Sequence, residues 1–355
     1  MLKLSIISLL MFFGLSGFAQ TTYSISGHVK NAKGDNIEAA TVFLNGSKQA
    51  TKTDASGFFI FKNTPPGTFQ LVINMLGYSS IKQNVVLTDK AAMLNLVLQE
   101  RSNKLAEVVI GNGSQRAEHL KTFIINFLGT TPNGKNCTIL NTEVLEFSTM
   151  KTLLDATTED FLIIENKNLG YKIRYLLRNF RFNKGTQITS YDGECIFENM
   201  KGTEKQEAQW KQNRLEAYQG SFMHYLRSLY SNTSRKEGFL AYDIKNNIQP
   251  LKMDPNPVDM ERHIYEVDSN FIELKFNKRF YVIYDVKKSA GVQKPSKEEE
   301  VTQALGKGSI MALFLPNAII DKKGSYVDYK SFFIQGFWGR NRIGDQLPFE
   351  YQPGD

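Results

Sequence analysis

The residues best placed for nucleophilic chemistry are a serine and a histidine three positions apart, Ser221 and His224. On a helix this spacing brings both side chains to one side, and a hydroxyl next to an imidazole is the core of many hydrolytic centres. Trp210 and Arg214 fall within the same sector of roughly 80° at 100° per residue. We expect these four residues on one helical face packed against a β-sheet, either as structural contacts to strand ends or as the lining of a ligand or peptide groove.

The residues around Ser221 do not form a recognised nucleophile motif. Ser221 follows Gln219-Gly220 and precedes Phe222, which lacks the G-x-S-x-G elbow of many serine hydrolases. A hydrolase with its centre at Ser221 and His224, or at a pair of carboxylates, is therefore kept only as an alternative.

A second candidate is a basic strand face. Residues 167–190 contain no Asp or Glu, and the alternation of a strand puts three cations on one face. These cations are Lys172, Arg174 and Arg178. Three interpretations of this face remain. It is an ordinary solvated surface, or it binds an anionic envelope polymer, a lipid headgroup or an acidic partner strand. In the third interpretation its cations form ion pairs with Glu194 or Glu198 across the following hairpin.

The chain has two cysteines, Cys137 and Cys195. An oxidising compartment would permit a disulfide between them. The alternative is two separately buried thiols, because spacing in sequence cannot place two Cα atoms within bonding distance.

Residues 22–99 contain seven short runs with turn residues every eight to twelve positions, which predicts a β-sandwich. Asn45-Gly46 suits a hairpin turn with positive φ, and Asp54 can accept backbone N–H bonds in a turn closed by Gly57. The runs are Tyr23–Lys30, Ala39–Leu44, Gln49–Thr53, Phe58–Lys62, Thr68–Leu76, Ser80–Leu87 and Met93–Leu98.

The order and spacing of these residues resemble the carboxypeptidase-regulatory-like, or transthyretin-like, domain. That domain occurs behind carboxypeptidase catalytic domains and before the plug of many TonB-dependent outer-membrane receptors. The resemblance implies a sandwich scaffold without reactive groups. It rests on Gly27-x-Val29, Gly34, Ala39-Ala40-x-Val42-x-Leu44, Thr53-Asp54-x-x-Gly57-x-Phe59, Pro66-Gly67-x-Phe69-x-Leu71 and Gly77-Tyr78.

The family name raises the question of zinc carboxypeptidase chemistry. His263 and Glu266 have the spacing of one zinc-ligand segment, but His263 is the last histidine of the chain, so the downstream third ligand of that type is missing. We expect no metal, no other cofactor and no metallocarboxypeptidase activity.

Residues 117–355 predict an α+β domain of antiparallel strands with a long helix over 204–230, bent or split near Gly220, and residues 100–116 read as a linker. Segments 270–276 and 279–286 predict a hairpin. The order Trp210-x-x-x-Arg214 in this region resembles an uncharacterised part of exported proteins that carry the sandwich, and implies no known chemistry.

The first nineteen residues have the pattern of a secretory signal peptide. Lys3 precedes an apolar run, Leu4–Leu15, that is too short to cross a bilayer, and Gly17 and Ala19 occupy the −3 and −1 positions of a cleavage site. No cysteine follows that site for lipidation, and no later apolar stretch has the length of a membrane span. The formal net charge of +7 is spread among acidic residues, which argues against nucleic-acid binding.

These features together predict an exported protein of a Gram-negative-type cell envelope, located in the periplasm, on the periplasmic face of the outer membrane, or secreted. We expect a non-enzymatic binding or assembly module that recognises a protein or an envelope polymer. The alternative is a hydrolase acting on envelope peptide or glycan.

Export predicts a mature N-terminus at Gln20. N-terminal sequencing and the intact mass of the protein from the envelope fraction should both correspond to cleavage after Ala19. A product in the cytoplasm that retains residues 1–19 would contradict the assignment of the compartment.

Overall fold

A computed structural model of the chain describes residues 22–101, 113–246, 250–291, 300–302, 308–328 and 330–355. The predicted signal peptide, residues 1–19, and most of the predicted linker lie outside the described residues.

The N-terminal region folds as the predicted seven-stranded β-sandwich. One sheet has the order β4-β1-β7, with β1 and β7 parallel, and the other has the order β3-β2-β5-β6. The apolar residues that alternate along the strands, such as Val29, Phe59 and Leu71, are buried between the sheets. The strands are β1 (Tyr23–Asn31), β2 (Thr41–Leu44), β3 (Ala50–Lys52), β4 (Phe58–Thr64), β5 (Gly67–Asn74), β6 (Ile81–Leu87) and β7 (Ala92–Leu98).

Two local features of the sandwich depend on particular residues. Asp54 accepts bonds from the backbone N–H groups of Ser56 and Phe58 at 2.9 and 3.0 Å, in a turn where Gly57 has φ +74°, as the sequence predicts. Gly27 lets β1 approach β7 closely, because a Cβ there would lie 2.1 Å from the carbonyl oxygen of Leu94.

The next part of the chain forms an antiparallel sheet packed against a helix. The sheet has the order β8-β11-β12-β10-β9, and β13 pairs along the other side of β12. Phe123 and Phe127 of the helix pack on Phe180 and Tyr175 of β12. The elements are α1 (Gly113–Leu128), α2 (Pro132–Lys135), β8 (Cys137–Ile139), β9 (Leu145–Met150), β10 (Leu153–Thr158), β11 (Leu162–Asn166), β12 (Tyr171–Asn183) and β13 (Ile188–Asn199).

The remaining strands form two further sheets around a second core, together with a short two-stranded ladder. The sheets have the orders β14-β18-β20-β22 and β16-β17-β21, and the ladder joins β15 and β19. The elements are α3 (Glu204–Tyr218), α4 (Phe222–Tyr230), β14 (Phe239–Asp243), β15 (Leu251–Met253), β16 (Ile264–Asp268), β17 (Phe271–Leu274), β18 (Phe280–Tyr284), α5 (Val286–Ala290), β19 (Glu300–Thr302), β20 (Ser309–Leu313), β21 (Ala318–Asp321), β22 (Phe332–Gly336) and α6 (Phe337–Arg340).

One expectation for this region is confirmed and one needs correction. The helix predicted over 204–230 is split near Gly220, as the sequence predicts, because Gly220 adopts φ +77° and Ser221 begins α4 as its N-cap, accepting a bond from the backbone N–H of His224 at 3.1 Å. The predicted hairpin of segments 270–276 and 279–286 is wrong. Strand β17 pairs with β16 and β21, whereas β18 pairs with β14 and β20, so the chain passes from one sheet to another between them.

Candidate functional site

His224 is held by hydrogen bonds at both ring nitrogens. Nδ1 accepts the backbone N–H of Gly220 at 3.0 Å, so the proton lies on Nε2, which donates to Glu237 at 2.8 Å. The Ser221 hydroxyl is engaged as the helix cap. No ring nitrogen is left to take a proton from Ser221, so the described geometry does not assemble a serine–histidine centre. Burial lowers the pKa of His224, and the contact with Glu237 opposes this.

Trp210 and Arg214 lie on α3 and bind the turn between β11 and β12. The indole Nε1 donates to the carbonyl oxygen of Lys167 at 2.9 Å, and the guanidinium Nε donates to that of Leu169 at 2.7 Å. The guanidinium also lies 4.1 Å from the ring centroid of Tyr171. Both side chains thus donate hydrogen bonds to carbonyl oxygens in the turn between the strands. Without these donors the buried or partly buried carbonyl groups would be unpaired, which costs free energy of folding.

The four residues expected on one helical face are divided between two helices and two sheets. Trp210 and Arg214 contact the sheet that contains β11 and β12, whereas the His224 ring packs on Phe239 and Tyr284 of β14 and β18. Because Trp210 and Arg214 lie on α3, whereas Ser221 and His224 belong to α4, the expectation of a single helical face is wrong. Three of the four side chains are buried, and Ser221 is half-buried.

Two of the three cations of the basic strand face are paired within the chain. The Arg178 Nε lies 2.8 Å from both carboxylate oxygens of Glu194, and Arg174 approaches Glu198 at 3.9 Å. Glu194 is buried and also pairs with Lys82 of the sandwich. Lys172 is half-buried opposite Glu198 in the ladder. Of the three alternatives, ion pairs across the hairpin account for Arg174 and Arg178.

The same face of the sheet carries the contact with the sandwich. Phe43 of β2 and Val72 of β5 are buried against an apolar cluster on β11, β12 and β13. The rings of Phe43 and Phe161 are 5.7 Å apart and meet edge to face, a favourable aromatic geometry. Besides Phe161, the cluster contains Leu176 and Ile196, with Ile163 partly buried beside it.

The β2–β3 turn of the sandwich continues the edge of this sheet. The backbone N–H of Gly46 donates to the Cys195 carbonyl at 2.9 Å, and the N–H of Phe197 donates to the Ser47 carbonyl at 2.8 Å. On the other side of the turn, the backbone N–H of Phe349 donates to the Gly46 carbonyl at 2.9 Å. An open strand edge is thereby covered by main-chain pairing.

A buried ion pair forms a second contact between the sandwich and the C-terminal region. The Asp321 carboxylate accepts bonds from the backbone N–H groups of Thr68 and Lys323, both at 2.8 Å, and its Oδ2 is 2.7 Å from the Lys323 ammonium. Lys323 also lies 3.9 Å from the ring centroid of Phe69. Burial lowers the pKa of Lys323, and the charge of Asp321 opposes this.

Sequence reasoning missed two residues that stabilise this arrangement. Asp321 is the last residue of β21, and the polar residues that follow it resemble any solvated turn. Arg227 donates from one guanidinium to three carbonyl oxygens, at 2.8 to 3.0 Å, and so holds the C-terminal segment. No sequence pattern signalled this role, because at 100° per residue Arg227 lies opposite the apolar stripe of its helix. The carbonyls belong to Lys323, Phe349 and Tyr351.

Cys137 and Cys195 are free thiols in the structure, so the possible disulfide is not formed. Cys137 lies on β8 and Cys195 on β13, with β11 and β12 between them. At about 4.8 Å per strand, this separation exceeds the limit of about 7 Å between bridged Cα atoms. Burial raises the pKa of each thiol to about 12.

We therefore predict that neither thiol of the native protein reacts with Ellman's reagent near neutral pH. Both should react after unfolding in guanidinium chloride without a reductant, because the thiolate is the reactive form and burial suppresses it. Unfolded protein that yields no thiol until a reductant is added would contradict the free-thiol state.

The described residues contain no group of three or more His, Cys, Asp or Glu side chains that could hold a metal ion. His263 packs beside Phe280, with ring centroids 5.3 Å apart, and Glu266 is exposed on β16. Among the same residues, no helix is long and apolar enough to cross a membrane.

Two adjacent grooves of about 420 and 750 Å³ lie beside α4 and share Asn232 and Glu261. The larger is lined by both apolar residues, such as Met260, and charged residues, such as Arg235 and Lys236. Neither contains His224 or Ser221 in its lining.

The β4-β1-β7 sheet of the sandwich exposes apolar side chains on its outward side. Met93 is 68% exposed and Val97 49% exposed. The three strands contain no acidic residue, and Lys30 and Lys62 are exposed on the same face. We use the name outer face for the outward side chains in register on the three strands, Ser26, His28, Lys30, Phe58, Ile60, Met93, Asn95 and Val97.

The two sheets of the sandwich therefore have different environments. Phe43 and Val72, outward on β2 and β5, are buried against the C-terminal region, whereas the outward side chains of β4, β1 and β7 are exposed or half-buried. The segment Met93–Leu98 was the sequence signal for this face. If it is a strand, apolar residues lie on the outward side as well as on the side that faces the core.

Comparison with known proteins identifies the N-terminal region. Residues 25–110 match the family model of the CarboxypepD_reg-like domain, which confirms the resemblance of that segment. A search of the curated proteins finds no match.

Solved structures resemble only part of the chain. One is 3-chlorocatechol 1,2-dioxygenase from Rhodococcus opacus 1CP, at 10% identity over 23% of this chain and 61% of that chain, with TM-score 0.21. Another is a type II cohesin–X-dockerin complex from Acetivibrio cellulolyticus, at 19% identity over 28% and 72%, with TM-score 0.20. The minor pilin GBS52 of Streptococcus agalactiae matches at 15% over 24% and 48%, with TM-score 0.21. The chain thus spans about three fifths of the length of the dioxygenase. With TM-scores of 0.20 to 0.21, these similarities do not indicate a function.

Proposed function

We propose that this chain is a non-catalytic binding or assembly protein of the bacterial cell envelope, and that a partner protein binds the outer face. The observation that carries the proposal is the unequal use of the two sandwich sheets. One sheet buries Phe43 and Val72 against the C-terminal region, and the other presents Met93 and Val97 to solvent. Clustered exposed apolar side chains commonly mark protein-interaction sites.

The charge around the outer face suggests the chemistry of the partner. Lys30 and Lys62 flank the apolar side chains and no carboxylate lies on the three strands. A partner surface with apolar side chains and surrounding carboxylates would complement this pattern. An anionic polymer has less support, because Arg174 and Arg178 of the basic face are already paired with glutamates.

The alternative function, hydrolysis of envelope peptide or glycan, also has less support. The Ser221 hydroxyl caps α4, and both nitrogens of His224 are engaged by Gly220 and Glu237. The envelope location is supported by the predicted leader and by the match of residues 25–110 to the CarboxypepD_reg-like domain, which the sequence resemblance associates with outer-membrane receptors.

Site-specific photocrosslinking in the native cell tests the proposal. A photoreactive phenylalanine analogue replaces Phe58 on the outer face, or Ile188 as a control that is exposed on β13. We expect a discrete heavier adduct from position 58, none from position 188, and at least a tenfold loss of the adduct when Ile60→Lys is added. The same adduct from both positions, or an adduct unaffected by Ile60→Lys, would contradict binding at the outer face.

A further inference from the structure

Strand β7 is an edge strand of the sandwich. It pairs with β1 over Ala92–Leu98, and within the described parts of the chain no strand pairs with its other side over these residues. Past the strand, the backbone N–H of Ser79 donates to the Gln99 carbonyl at 2.9 Å, so the chain covers its own edge from there on. The uncovered edge is therefore a defined length of seven residues.

This edge lacks the features that usually prevent edge-to-edge pairing. Natural edge strands are protected by charged residues, proline, bulges or very short length. Strand β7 has the sequence Ala-Met-Leu-Asn-Leu-Val-Leu, with no charge, no proline and no glycine, and its register with β1 is continuous. Its outward N–H and C=O groups are a template for another strand.

The side chains of β7 are nearly symmetric about Asn95. Leu94 and Leu96 flank it on the inward face and Met93 and Val97 on the outward face. An antiparallel strand with the same sequence, centred on Asn95, would place Met93 of each copy opposite Val97 of the other and the two asparagines opposite each other. Every apolar residue would then meet an apolar residue, and the amide pair could hydrogen-bond.

We propose that β7 pairs with β7 of a second copy of this chain in antiparallel register about Asn95. The result is an isologous dimer in which two three-stranded sheets join into one of six strands. A second copy fits better than an unrelated strand because the polarity pattern is self-complementary and the strand carries no charge to repel its own kind. The half-buried Leu94 and Leu96 gain cover from the second copy.

Self-pairing goes beyond the proposed partner binding at the outer face and does not depend on it. Phe58 and Ile60 lie on β4, which is separated from β7 by β1. The chain carries a formal charge of +7, so two copies repel at long range and added salt should strengthen the dimer.

Sedimentation equilibrium of the mature protein over a concentration series tests the dimer. We expect the weight-average mass to rise toward twice the monomer mass with concentration, and to do so at lower concentration in high salt. Asn95→Lys should remain monomeric at all concentrations, whereas the control Ile188→Lys should behave as the unmodified protein. Circular dichroism confirms that each variant is folded. A monomer at every concentration, or a dimer unaffected by Asn95→Lys, would overturn the proposal.

The register is tested by cysteine crosslinking under mild oxidation. Asn95→Cys should form the disulfide-linked dimer at least tenfold faster than Met93→Cys, because opposed Cβ atoms lie about 4.5–5.5 Å apart and Met93 is opposed by Val97. Equal rates or the reverse order would overturn this register. Crosslinking of Asn95→Cys only to a different envelope protein would assign the edge to a heterologous strand and also overturn self-pairing.

Discussion

Replacement of Asp321 by alanine is expected to lower the free energy of unfolding by about 3–5 kcal/mol, the usual cost of removing one partner of a buried ion pair. The substitution leaves the Lys323 ammonium in a buried site without its counter-charge. It also leaves the backbone N–H groups of Thr68 and Ser325 without the carboxylate that accepts them at 2.8 and 3.1 Å. The effect should appear as a lower midpoint of urea unfolding, followed by circular dichroism.

Asp155→Ala is the matched control for this prediction. Asp155 forms a two-bond contact with Arg181, at 2.7 and 3.0 Å, but the arginine is exposed. Exposed ion pairs contribute about 0–1 kcal/mol, so the control should change the midpoint little. An Asp321→Ala protein as stable as Asp155→Ala would show that the buried pair does not hold the sandwich to the C-terminal region.

Glu194→Ala should destabilise the protein by about 2–4 kcal/mol, somewhat less than the full cost of breaking a buried ion pair. Glu194 is buried, and it is the shared counter-charge of Arg178 and Lys82. Without it, two cations face each other at the contact between the regions. The penalty is reduced because both cations keep part of their contact with water.

Glu198→Ala is the control for Glu194→Ala, since it tests whether the loss of stability depends on the buried position of the glutamate or follows from any Glu→Ala substitution on this strand. Glu198 lies on the same strand as Glu194, but it is exposed and 3.9 Å from Arg174. We expect a change below about 1 kcal/mol in the same urea titration. Equal effects of the two substitutions would contradict the role assigned to Glu194.

The sandwich could be predicted because its signals are local. Turn residues such as Asn45-Gly46 and Gly57 restrict the backbone within four residues, and the alternation between turns assigns side chains to the core. The ion pairs of Arg174 and Arg178 were likewise among the predicted alternatives, since partners across a hairpin follow from its register.

The C-terminal region was less predictable because its contacts are distant in sequence. Segments 271–274 and 280–284 have the pattern of a hairpin, but pairing with β14, β20 and β21 assigns them to different sheets. The split near Gly220 was predicted, but not the contact that fixes it, in which the Gly220 carbonyl accepts the indole N–H of Trp338 at 2.8 Å. Likewise, nothing near Asp321 in sequence indicates that Thr68 is its partner.

Hydroxyl-radical footprinting of the protein, first isolated and dilute and then in the envelope fraction, tests the outer-face claim most directly. Met93 is 68% exposed and Met150, on β9, is 61% exposed, so both should oxidise at similar rates in the isolated protein. In the envelope fraction, we predict that oxidation of Met93 and Phe58 falls severalfold while Met150 is unchanged. Equal oxidation of Met93 relative to Met150 in both states would contradict the account.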